Sequence, residues 1–114
     1  MPLPNRTITV RRWTYPTPPS ATSINRLMAD EGMRPFTWQN NPNRMFNVRS
    51  HGYDKVLWVV SGTLELIAPD ENRVYVLRSG DRADIPAGVR HGIKVSQAGV
   101  TCYEASQSGK LARR

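Results

Sequence analysis

Four side chains carry chemistry at a suggestive spacing: Arg49, His51, Lys55 and His91. Imidazoles titrate near neutral pH and serve as acids, bases or metal ligands. Guanidinium and ammonium groups bind carboxylates, phosphates and sulfates. In an extended chain side chains alternate, so Arg49, His51, Lys55, Leu57 and Val59 should face one way. His91 opens a later strand and is expected to join them. The pattern predicts a concave site with two fixed cations and two titratable rings, suited to a small organic anion or sugar derivative. Burial and the neighbouring Arg49 would disfavour the charged form of Lys55. That makes Lys55, with His51 and His91, a candidate acid, base or nucleophile for metal-independent catalysis. The competing reading has Arg49 and Lys55 consumed in buried ion pairs with Glu104 or Glu65.

These residues need strands to position them. Residues 7–13 are β-branched and aromatic and read as a first strand, and the proline-rich Tyr15 to Pro19 cannot join a central ladder. A short helix is expected through 25–31, capped by Ser20 or Ser23, with Ile24, Leu27 and Met28 on one stripe. Gly32 stands where a left-handed cap is wanted. Everything later reads as short strands: 36–39, 45–49, 55–60, 63–68, 73–77, 82–85, 91–96 and 100–105. Gly62 is read as a turn between the fourth and fifth of the chain's strands. Strands at this spacing argue for a sandwich or barrel. The expected organisation is one domain over 1–114, with its barrel core at about 36–105 and a flexible basic tail over 106–114.

The most specific stretch runs from Gly80 to His91. Its fixed residues are Gly80, Pro86, Gly88 and His91. Gly80 allows a positive φ, Pro86 ends a strand, Gly88 reverses the chain and His91 opens the next strand. This stretch resembles the second signature motif of the cupins, small double-stranded β-helix barrels of jelly-roll type. The first cupin signature maps, anchored on Gly62, onto Asn43, Arg49, His51, Lys55 and Gly62. There Arg49 stands in place of a histidine and Lys55 in place of a glutamate, and in the second motif Val95 stands in place of an asparagine. The stretch Glu31 to Asn40 also resembles one group of short, single-domain bacterial cupins.

The resemblance implies an all-β cupin barrel with one short N-terminal helix. It also implies a metal site, in which three histidines and a glutamate hold Fe, Mn, Ni, Zn or Cu. Only His51 and His91 remain of that set. An alternative function is therefore a metal-dependent oxygenase or isomerase that uses His51, His91 and a third ligand, Glu104 or Asp54. A further alternative is a non-catalytic structural or regulatory homodimer with a filled barrel. Val56, Trp58 and Val60 should face away from the cavity and need cover from another sheet or a second subunit. With the edge-to-edge pairing that the resemblance implies, this predicts a homodimer.

Composition sets the outer limits. The 114 residues are 39% hydrophobic and 22% charged, ordinary for a globular chain. A chain of this length buries about two-thirds of its surface on folding. The longest apolar run is Val56 to Val60, far short of a membrane span, and no signal peptide is expected. Cys102 is the only cysteine, so no intrachain disulfide can form, and a reducing cytoplasm is the expected home. Cys102 and the tryptophans, Trp38 included, are read as core or interface residues. The net charge is +7, but the basic residues are scattered. The charge reads as a solvated surface, not as a nucleic-acid site.

Overall fold

The computed structural model describes residues 6–107. The expected basic tail lies outside these residues from 108 onward. Along the chain come β1 (Thr9–Arg11), α1 (Ala21–Asp30), β2 (Phe36–Asn40), β3 (Met45–Arg49), β4 (Lys55–Ala68), β5 (Arg73–Arg78), β6 (Arg82–Ile85) and β7 (His91–Ser106). The fold is all-β with one short helix, as expected.

Two long strands form its spine. β4 and β7 pair antiparallel from Lys55 opposite Ser106 to Ile67 opposite Gly92. The other edge of β4 holds β6 along its first half and β5 along its second. The other edge of β7 holds β3 and then β2. The strand pair reads 55–60 plus 63–68, expected to be joined by a turn at Gly62, are therefore one continuous strand. So are 91–96 and 100–105. Gly62 and Gly99 instead sit at bulges, with φ of +82° and +75°. The register slips twice there, between Val59 and Ser61 and between Gly62 and Leu64. A glycine with positive φ serves a bulge as well as a turn, and local sequence does not separate the two.

The bulges change which residues face inward. On β4 the core-facing set passes from Leu57 and Val59 to Leu64, Leu66 and Ala68. On β7 it passes from Ile93 and Val95 to Val100 and Cys102. Each spine strand bends there, so both halves line one core, with Ala83 and Ile85 of β6 and Tyr75 and Leu77 of β5. Cys102 is fully buried in that core, and burial pushes its thiol pKa up.

Val56 to Val60 of β4 are apolar without alternation because both faces of this stretch are covered. Val56 and Trp58 pack outward against Ile24, Met28 and Met33. The cover anticipated from a second sheet or subunit thus comes from α1 and the segment after it. Burying Ile24 and Met28 completely stabilises the fold by roughly 1.5–3 kcal/mol each. Arg82, 2% exposed, lies 5.0 Å over the Trp58 ring and bonds both Asp84 and Glu31, the last joining the end of α1 to the barrel. Ser106, expected to begin a frayed tail, ends β7, and the Gln107 amide donates to the Asp54 carbonyl at 2.9 Å.

α1 begins with a reciprocal cap. The Ser23 amide donates to Ser20 Oγ at 3.1 Å, and the Ser20 amide donates to Ser23 Oγ at 3.1 Å. Ser20→Ala is expected to lower stability by about 1 kcal/mol, and Ser20→Asp to retain most of it. Urea unfolding measures both, and an unchanged midpoint for Ser20→Ala would contradict the capping role.

Candidate functional site

One end of the barrel opens into a cavity of about 380 Å³. Arg49, His51, Lys55, His91, Glu104 and Trp38 all line it. β3 ends at Arg49, which is opposite His91 at the start of β7. Lys55 begins β4 opposite Ser106, which places Glu104 as its diagonal neighbour on the same face. Trp38 on β2 lies opposite Cys102 and so is also diagonal to Glu104.

Glu104 is the hub of the charged wall. Lys55 Nζ stands 3.4 Å from Glu104 Oε1, with side chains 8% and 14% exposed. The Trp38 indole N–H donates to the same oxygen at 3.1 Å. The Lys55–Glu104 ion pair anticipated as the competing reading therefore forms. Glu65 takes no part in it: it lies farther along β4, exposed, and opposite Val76 and Lys94. Arg49 lines the cavity but is exposed, because the β3–β7 register slips between Phe46 and Arg49. It stands at the mouth, although alternation predicts that it points into the barrel beside Lys55.

The two histidine rings lie 5.3 Å apart, centroid to centroid. His91 is buried, and its Nδ1 is 3.0 Å from the Val89 carbonyl. A carbonyl only accepts, so Nδ1 carries the proton and the neutral ring keeps its lone pair on Nε2. Burial lowers the His91 pKa; Lys55 and His51 add to this, against the Val89 bond and Glu104. Burial also lowers the His51 pKa, helped by Lys55 and Arg49 and opposed by Glu104. His51 Nδ1 is buried with no hydrogen-bond partner among the described residues.

The turn before β7 fixes these rings. Gly88 has φ +84°, and its amide donates to the His51 carbonyl at 2.8 Å. The Ala87 amide donates to Asp54 Oδ1 at 2.9 Å. Asp54, considered as a third metal ligand, instead holds this turn and does not line the cavity.

Two wall residues escaped the sequence reading. Trp38 was assigned to the core, yet it lines the cavity and orients Glu104. Phe46 packs against Trp38 with ring centroids 6.1 Å apart. The alternation of Phe36-Thr-Trp38 was visible, but not which face looked inward.

No protein-family model matches the sequence, and no curated protein matches it significantly. Solved structures do. A DUF861 family protein from Thermotoga maritima is similar with a TM-score of 0.61 and 17% identity, over 86% of this chain and 97% of that one. An RmlC-like cupin from Shewanella frigidimarina is similar with a TM-score of 0.58 and 20% identity, over 65% of this chain and 64% of that one. The polyketide cyclase RemF from Streptomyces resistomycificus is similar with a TM-score of 0.58 and 21% identity, over 65% of this chain and 54% of that one. The fold is the cupin double-stranded β-helix.

In this cupin barrel the donors do not fit the metal set that the resemblance implies. Arg49 and Lys55 offer no lone pair as cations. Glu104 Oε1 already accepts from Trp38 and faces Lys55. Among the described residues no three His, Cys, Asp or Glu side chains group so as to hold an ion. Nor, among the described residues, is any helix long and apolar enough to cross a membrane.

Proposed function

We propose that this cupin barrel binds a small organic anion, with His91 available for acid–base chemistry beside the Lys55–Glu104 pair and without a metal. One observation carries the reading. Arg49, His51, Lys55, His91 and Glu104 converge on the wall of a single 380 Å³ cavity. Its volume lies at the small end of ligand pockets, roughly 300–1,000 Å³. The filled barrel of the structural-homodimer alternative does not have such an opening. A neutral His91 accepts a proton at Nε2, and the Lys55 ammonium stabilises the negative charge that results.

The two rings make binding depend on pH. Their folded pKa values lie below the ordinary 6.5. Their contribution to stability is therefore fully present above about 6.5 and falls as the pH drops through the folded values. A bound anion stabilises the imidazolium form and raises both values. Anion affinity should accordingly increase as the pH falls from 7.5 to 5.5. Lys55, Glu104 and Arg49 are the other charged groups facing the rings.

Calorimetric titration with a panel of small organic acids and phosphate tests the reading, beside elemental analysis of chelator-free protein. The expected result is binding of at least one anion, tighter at pH 5.5, with no stoichiometric transition metal. Absence of binding by every anion would overturn it. So would a tightly held metal lost in His51→Ala, which would favour the metal-dependent alternative.

A further inference from the structure

The cavity wall divides by chemistry. Trp38 and Phe46 meet edge to face, and Ile93 adds to the same apolar lining. The rest is charged, and its charges do not balance. Lys55 is matched by Glu104 at 3.4 Å. The Arg49 guanidinium has no ion pair or hydrogen bond among the described residues. Two cations against one carboxylate leave the cavity at +1 while both rings are neutral. Among the described residues that line the cavity, the one unmatched cation is a planar fork at the mouth, a shape that takes a carboxylate through two parallel bonds.

We infer that the ligand is a monocarboxylate with a planar apolar body, its ring against Trp38 and Phe46 and its carboxylate on Arg49. This rests on the anion-binding reading above and narrows it. A phosphomonoester brings about −1.5 to −2 charges at pH 7, more than a single free guanidinium neutralises. A dicarboxylate has the same excess. A neutral sugar derivative leaves Arg49 unpaired. An aliphatic acid leaves the aromatic wall uncovered.

The test is calorimetric titration of the intact chain at pH 7.5 with benzoate, acetate, benzamide, phthalate and inorganic phosphate. Benzoate is expected to bind tightest of the five. Arg49→Ala should weaken it about 10- to 100-fold, the loss of a hydrogen bond to a charged group. Arg49→Lys should recover only part, because an ammonium lacks the fork. Arg49 is exposed at a strand end, so these variants keep the fold. Trp38→Leu should weaken benzoate more than acetate. Tighter binding of phosphate or phthalate, or benzoate binding indifferent to Arg49→Ala, would overturn the inference and leave an anion pocket standing. Failure of every anion, at pH 5.5 as well as 7.5, would remove both.

Discussion

Gly62→Ala is expected to destabilise the protein by about 2–5 kcal/mol. Gly62 has φ +82°, a conformation that costs other residues roughly 1–2 kcal/mol. The larger cost is steric. A Cβ there would lie 2.1 Å from the Gly99 carbonyl oxygen and 2.9 Å from the Val100 Cα. Both belong to the backbone of β7, so no side chain can swing aside. Pushing β7 away adds roughly 1–3 kcal/mol, the usual cost of overpacking. A domain of this size has only about 5–15 kcal/mol in total. Gly52→Ala is the control. Gly52 has nothing within 4 Å of the position a Cβ would take and no positive φ, so its change should stay within about 0.5 kcal/mol. Urea unfolding of the pair decides the matter. Equal midpoints would show that the two spine strands do not approach so closely at the bulge.

Glu104→Leu is the second large effect. It leaves the Lys55 ammonium, with its side chain 8% exposed, without a counter-charge, and the Trp38 N–H without an acceptor. Removing one member of a buried pair costs about 3–5 kcal/mol, and water entering from the cavity mouth reduces this to about 2–4. Glu104→Gln should cost less, since its amide oxygen still accepts from Trp38. Lys55→Met combined with Glu104→Leu should recover most of the loss, because no unpaired charge remains. A double-mutant cycle reads this as a coupling above about 1 kcal/mol. Additive losses would mean that the two side chains do not depend on each other. The single substitution also raises the cavity charge from +1 to +2. The preference should then move from monocarboxylates towards phosphate and dicarboxylates.

The same residues show what could be read in advance. Gly80, Pro86, Gly88 and His91 were legible because each meets a local backbone need: Gly80 takes the positive φ expected of it, and Gly88 makes the expected reversal with a positive φ of its own. The bounds of β3 and β6 were legible between their flanking turn residues, and capping chemistry narrowed the helix start to Ser20 or Ser23, which cap it reciprocally. Alternation was enough to send Lys55, Leu57 and Val59 into the barrel. It was not enough for Arg49, because the bulge in β3 carries that side chain to the mouth. Nor could it choose the fate of Asp54, whose carboxylate holds the Ala87 amide.

The sequence by itself determined the strand content, the helix with its cap, the glycine-bearing bends and the cluster of Arg49, His51, Lys55 and His91. These depend on a few neighbouring residues and on a period of two. Only the tertiary structure decided that Gly62 bends a continuous strand, that α1 covers Val56 and Trp58, and that Lys55 is spent on Glu104. Lys55 and Trp38 reach Glu104 across 49 and 66 positions of chain. Such meetings follow from the register of β4 against β7, and that register is set by the whole core packing at once, not by any local stretch.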